Sequence, residues 1–203
     1  MIRSPTARLF AAVDPPATVR GALSSWARSA ARAAEGRSRP NAALRVLEPE
    51  LLHVTLCFLG NRPVSEMDAL AGQLSACEGA TGELSLGAPL WLPTRHPRAL
   101  AVELHDDDGE LGRLQAEVIA ALGEVSGWQP SGGAPSEGVG SGAPRPFRPH
   151  VTVARMGRGA SGFERLLPPT PSLSFVPTEL VLYRSWLSPE GASYEAIASH
   201  PIG

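Results

Sequence analysis

Two short runs carry the chemistry of this 203-residue chain: His53-Val54-Thr55-Leu56 and, ninety-seven positions on, His150-Val151-Thr152-Val153. In each, an imidazole stands two residues before a hydroxyl, so on a strand both side chains share one face. An imidazole titrates near 6.5 and can give or take a proton at neutral pH. A hydroxyl can donate to an oxygen on which negative charge builds. A lone His-x-Thr reads as a structural histidine. Two copies in the same setting instead predict two related halves, each holding an acid–base group and a donor on a rigid strand.

The elements that must position these groups follow from periodicity. Leu52 to Gly60 reads as a strand with Val54, Leu56 and Phe58 on an apolar face and His53, Thr55 and Cys57 on the other. Arg148 to Arg155 repeats the pattern, with Val151 and Val153 turned away from His150 and Thr152. Upstream, Leu9 to Val13 is a strand, and Asp14 with Pro15 predicts an N-cap and first turn. The helix that follows carries Val19, Leu23, Trp26 and Ala30 to about Ala34. Leu44 to Leu47 is a short strand. A second helix is predicted from Ser65, with Asp68 completing a capping box and Met67, Leu70, Ala71 and Leu74 forming its stripe. Strands at Leu84–Leu86 and Leu100–Leu104 precede a helix with Leu111, Leu114, Val118 and Leu122 on one face. Residues 127–146 are rich in Gly, Pro and Ser without periodicity and read as a flexible insertion. A short helix at Phe163–Leu167 and a closing hairpin, Leu180–Ser185 with Ser193–Ile197, complete an α+β order.

Composition removes several function classes. A net charge of −2 argues against a protein that coats long nucleic acid, though not against recognition of one terminal phosphate. All 18 basic residues are Arg. The absence of Lys excludes a P-loop, a Schiff base and a ligase that works through an adenylated lysine. Cys57 and Cys77 have neither metal spacing nor a disulfide framework and read as reduced thiols. His105-Asp106-Asp107-Asp108 could be taken for a metal cluster, but it precedes a helix, whose N-terminus acids complement. No apolar run approaches the ~20 residues of a membrane span. The first residues lack a signal-like apolar segment, so a cytoplasmic protein is expected.

The paired runs resemble the H-x-T-[hydrophobic] motifs of the 2H phosphoesterase superfamily. With Arg8-Leu9-Phe10-Ala11-Ala12-Val13-Asp14, Leu52 to Gly60 and Arg145 to Arg155, the chain is similar to the RNA 2',3'-cyclic phosphodiesterase branch, also called LigT-like or 2'-5' RNA ligase. The likeness covers almost the whole chain. It implies a single bilobal domain over residues 1–203: two pseudo-symmetric lobes of antiparallel sheet covered by helices, with the motif strands in a central cleft. It also implies a monomeric enzyme, free of metal and cofactor, acting on RNA ends or small 2',3'-cyclic nucleotides. In that family pattern His53 is the proton donor to the leaving O3' and His150 the proton acceptor from water, leaving a 2'-phosphomonoester. Thr55 and Thr152 hold the non-bridging oxygens, and Arg155 contacts the phosphate.

The residues alone leave the two histidine roles exchangeable. They also set a condition on Arg155. Simple alternation turns it away from His150, so a bulge or the strand end must re-aim it. Arg148 is either a second phosphate contact or a solvated strand-entry residue. Arg45 resembles the family's Arg ahead of the first motif, but Val46 replaces a bulky aromatic beside it and Cys57 a common Lys, which leaves substrate size open. Three alternatives stand beside hydrolysis: 2'-5' phosphodiester cleavage or ATP-independent ligation in the same cleft, a weakly active RNA-end binding module, and a metal phosphoesterase, for which few clustered ligands are present.

Overall fold

Alternating apolar runs with few helical segments build a nine-stranded antiparallel sheet, seen here in a computed structural model that describes residues 4–35, 44–126, 146–157, 167–188 and 191–202. In chain order the elements are β1 (Thr6–Val13), α1 (Ala17–Glu35), β2 (Leu44–Val46), β3 (Val54–Pro63), α2 (Met67–Ser75), β4 (Leu84–Leu92), β5 (Ala99–His105), α3 (Glu110–Ser126), β6 (His150–Met156), β7 (Ser174–Phe175), β8 (Glu179–Ser188) and β9 (Gly191–Pro201). The sheet runs β7-β4-β5-β6-β3-β1-β8-β9, with β2 added alongside β6. Its halves meet where β3 and β6 lie side by side, joined in register at Val54 and Val151. This is the α+β arrangement expected from the order of elements.

One face of the sheet packs on the helices. Leu9, Ala11 and Val13 of β1, Val54 of β3, Val151 and Val153 of β6 and Leu180 and Leu182 of β8 all belong to one buried apolar cluster with Leu23, Leu70, Leu74, Leu111, Leu114, Val118 and Leu122 of the helices. Burying a side chain of this size contributes about 1.5–3 kcal/mol. α1 packs on β2 and β6, whereas α2 and α3 pack on each other and on strands of the other half. Residues at the intervening strand positions, Phe10, Ala12, Ala101 and Val181, are buried yet stand outside that cluster. They form the second face, where the motifs project.

Helix starts differ from expectation in two places. α1 begins at Ala17, and Asp14 does not serve as its N-cap: its carboxylate accepts a hydrogen bond from Tyr183 Oη at 2.7 Å and faces Arg20 at 3.8 Å. Ser65 lies in a 3-10 turn, Val64–Glu66, and α2 starts at Met67 without a side-chain cap. The acids before α3 act as expected: Asp106 accepts hydrogen bonds from the Leu111 and Gly112 amides at 3.2 and 2.9 Å. His200 lies in β9 opposite Leu180 with Nε2 buried. The Gly/Pro/Ser-rich stretch up to residue 145 and most of the expected short helix after Phe163 lie outside the described residues. No helix among the described residues is long and apolar enough to cross a membrane.

Candidate active site

Both motif strands break their alternation at the same offset. In β3, Ala12 pairs with Thr55 but Ala11 with Cys57, so Leu56 is an extra residue. In β6, Ala101 pairs with Thr152 but Leu100 with Ala154, so Val153 is the extra residue. A bulge places two consecutive residues on one side and shifts the parity of everything after it. Leu56 with Cys57, and Val153 with Ala154, accordingly point into the core as adjacent pairs. The bulge carbonyls are not orphaned: Leu56 O accepts from Gln115 Nε2 at 3.2 Å, and Val153 O from the Leu47 amide at 2.9 Å.

The shift decides which side chains reach the second face. It turns Arg155 to the side of His150 and Thr152, the condition that alternation alone had left unmet. In β3 it does the reverse of what the periodicity predicts. Cys57 enters the core opposite Ala11, and Phe58 takes the cleft side opposite Phe10, with ring centroids 5.8 Å apart. Burial pushes the Cys57 thiol up to about 12, so it is an inert core group rather than a cleft thiol.

His53 stands one residue ahead of β3, not within it, and His150 is the first residue of β6. Each ring is anchored in the same way: Nδ1 lies 2.8 Å from a carbonyl two residues upstream, Leu51 O for His53 and Arg148 O for His150. A carbonyl only accepts, so both Nδ1 atoms carry hydrogen, leaving Nε2 as the free proton-exchanging atom. Thr55 and Thr152 each lie opposite an alanine, Ala12 and Ala101, which keeps space above the strands between them.

Around His53 the wall is aromatic. Phe10, Tyr194 and Tyr183 have ring centroids 4.8, 5.1 and 6.0 Å from the imidazole. Burial here pushes His53 down to about 4; the Leu51 carbonyl opposes the shift, while the Arg155 and His150 charges add to it. Phe10 also stacks on Tyr183 at 5.1 Å. Burial, then its bond to Asp14, raises the Tyr183 hydroxyl, and burial raises the Asp14 carboxyl. The aromatic wall went unnoticed in the sequence. Its signal was a single ring on each of three strands, Phe10 of β1, Tyr183 of β8 and Tyr194 of β9, that the sheet sets side by side.

The arginines divide. Arg148 pairs with Glu103 at 2.8 Å, the solvated reading rather than a phosphate contact. Arg155 and Arg45, opposite one another in the β2–β6 ladder, have no carboxylate partner among the described residues. Arg45 instead lies against Gly191 of β9, where the backbone has φ 137° and a side chain would collide with the guanidinium. Among the described residues no group of three or more His, Cys, Asp or Glu is arranged to hold a metal ion. What the second face brings together is two imidazoles, two hydroxyls and a guanidinium without an ion pair among the described residues, a set able to hold one phosphate and move protons on either side of it.

A model of the 2'-5' RNA ligase superfamily matches residues 22–186. Over 200 residues the chain is 30% identical to an RNA 2',3'-cyclic phosphodiesterase of Thermus thermophilus, covering 94% of this chain and 87% of that protein. The fold is similar to the crystal structure of TT0787 of Thermus thermophilus, with a TM-score of 0.67 and 26% identity over 96% of this chain and 97% of that one. It is also similar to E. coli LigT complexed with 3'-AMP, with a TM-score of 0.69 and 25% identity over 98% and 99%.

Proposed function

We propose, since the chain belongs to the 2'-5' RNA ligase superfamily, that it is a hydrolase that opens RNA 2',3'-cyclic phosphate ends to 2'-phosphomonoesters by two-histidine acid–base catalysis. The observation that carries this reading is the doubled anchor: two imidazoles held alike, each beside a threonine, on strands that lie together. In this reading water attacks phosphorus on one side, His150 Nε2 takes its proton, and His53 Nε2 protonates the departing O3'. Thr55 and Thr152 donate to the non-bridging oxygens as charge builds on them. Arg155 supplies a fixed positive charge for the same oxygens. RNA ends and small 2',3'-cyclic nucleotides are the substrates, and no metal takes part.

A specific observation favours the exchanged assignment. With His53 held down to about 4, a neutral ring suits the proton acceptor. A bound phosphate opposes that shift by neutralising the nearby positive charges, so the donor role remains open to His53 in the complex.

The test is hydrolysis of a 2',3'-cyclic-phosphate-ended oligonucleotide in EDTA, with His53→Ala and His150→Ala and identification of the product phosphate. The expected result is EDTA-resistant turnover, a 2'-phosphate and a loss of roughly 10²–10⁴-fold in each variant. Activity abolished by EDTA sinks the metal-free mechanism. Retained RNA-end binding without turnover in the unmodified protein sinks the hydrolase.

A further inference from the structure

The far edge of the sheet folds back over the cleft. β9 stands three strand spacings from β3, and Tyr194 shares the row of Ser185, Arg8 and Asn61, whereas His53 is next to the row of Val13 and Val54. In a flat sheet the two residues would lie about 14 Å apart across the strands and about 17 Å apart along them. Their rings instead meet with centroids 5.1 Å apart and planes at 85°. No side chain spans that difference, so the β8–β9 hairpin arches across the second face. The bend has a local cause. Leu182 pairs with Ala198 but Tyr183 with Ala196, so Ile197 is an extra residue, and a bulge bends its strand and adds twist. Tyr194, opposite Ser185, thereby keeps the cleft side together with Tyr183.

The arch is seated on the other half of the molecule. In β2, Leu44 and Val46 pack on the core, so Arg45 takes the cleft face beside Arg155 of β6. Gly191, the first residue of β9, lies against the Arg45 guanidinium, and a β-carbon there would collide with it. A guanidinium is a flat, weakly hydrated plate, suited to carrying bare peptide. The backbone φ of 137° at this residue favours glycine as well. Ser188 Oγ donates to Gly191 O at 3.1 Å and fixes the same residue to β8. Arg45 has no ion pair among the described residues to draw it elsewhere.

We propose that Arg45 and Gly191 are positioning residues, which hold the hairpin across the cleft so that Tyr194 stays on the His53 ring and shields it from water. Tyr194 follows Gly191 on the same strand, so a shift of the seat is carried to the ring. The titratable and charged groups that bear on His53 are His150 and Arg155 of β6, Tyr183 of β8 with Asp14 behind it, and Tyr194 itself. Burial is the largest cause of the lowered His53 value, and the arch supplies part of that burial. The seat thus acts on a proton-exchanging ring without touching substrate. Its consequence for turnover rests on the proposed two-histidine hydrolysis; the seat itself does not.

The experiment is an NMR titration of the His53 ring, run beside the pH profiles of kcat and KM for a trinucleotide ending in a 2',3'-cyclic phosphate. It uses the unmodified protein, Gly191→Ala, Arg45→Lys and Tyr194→Leu, none of which changes a charge. In each variant His53 titrates higher, moving from about 4 towards 6.5. With it kcat falls about tenfold to a hundredfold at unchanged KM, as expected for a displaced catalytic ring. Gly191→Ala combined with Tyr194→Leu moves the titration no further than Tyr194→Leu alone, because the seat acts through that ring. An unmoved titration in both Gly191→Ala and Arg45→Lys overturns the inference, as does a shift that adds in full to that of Tyr194→Leu. A higher KM for Arg45→Lys at an unmoved titration also overturns it, since that marks a substrate contact. A chain that hydrolyses nothing yet shows the titration shifts refutes the hydrolase and keeps the seat. Equal melting temperatures separate a moved hairpin from a lost fold, and Arg45→Lys decides alone if Gly191→Ala does not fold.

Discussion

β3 and β6 place an imidazole, a hydroxyl and a bulge at the same offsets, yet the two histidines stand in unlike surroundings. Both rings bond a carbonyl two residues upstream, both threonines face an alanine, and both bulges fall three residues after the histidine. Five residues after the histidine the halves part: the bulge sends Phe58 to the cleft in one and Arg155 in the other. His53 is enclosed by Phe10, Tyr183 and Tyr194, while His150 is open beside the Arg148–Glu103 pair. The backbone supplies reach and direction twice over. The neighbours then give each half its character, apolar rings around His53 and a guanidinium on the side of Thr152.

The sharpest way to break the resemblance between the halves is a change of leaving group. With a nitrophenyl phosphodiester, whose leaving oxygen needs no proton, the donor histidine becomes dispensable. Whichever of His53→Ala and His150→Ala then regains most of its roughly 10²–10⁴-fold loss is the donor, and His53 is the expected one. Equal losses in both on this substrate would refute the division of roles.

Arg155→Gln removes the charge that has no counterpart in β3. A loss of about tenfold to a hundredfold is expected, on the order of one charge-assisted contact. Since Arg155 is one of the charges that lower His53, an acid flank of kcat/KM expected near 4 in the unmodified protein should move up in this variant. An unmoved flank would mean that Arg155 does not act on His53.

Stability against acid separates the halves again. His53 has a folded value of about 4 against 6.5 when free, so the unfolded chain takes up a proton that the native chain refuses. Its contribution is full above 6.5 and lost as pH falls towards 4, on the order of 3 kcal/mol over that window. Denaturant melts of His53→Gln should lose that part of the pH dependence.

The smallest effect concerns Cys57. Cys57→Ala should leave kcat/KM unchanged, and native protein should resist thiol alkylation at Cys57, whose thiol is held up to about 12. Rapid alkylation that substrate blocks would return Cys57 to the cleft.

The strands that carry the motif residues and the helix stripes could be read from the sequence because each follows a period of 2 or 3.6. The bulges could not. An extra residue in a strand leaves only two adjacent apolar side chains, Leu56-Cys57 or Val153-Ala154, and such pairs also occur in strands buried on both faces. The error was one of parity, which exchanged Cys57 with Phe58 and held Arg155 in suspense. The role of Asp14 was hidden for a different reason. Its partner Tyr183 is 169 residues away in sequence, and only the β1–β8 ladder brings the two together.

The bulges also set a problem for the folding chain. A regular, unbulged register is a competing structure for each motif strand, and a one-step slip turns every later side chain to the other face. In β6 that competitor drives the Arg155 guanidinium into the apolar core, a penalty heavy enough to reject it. In β3 it would put Phe58 in place of Cys57 in the core, an overpacking cost rather than a buried charge. There the correct register depends on the Gln115 amide that holds the Leu56 carbonyl from the far side of the sheet. The half with the stronger charge thus proofreads itself, and the half with the aromatic wall is proofread by a helix.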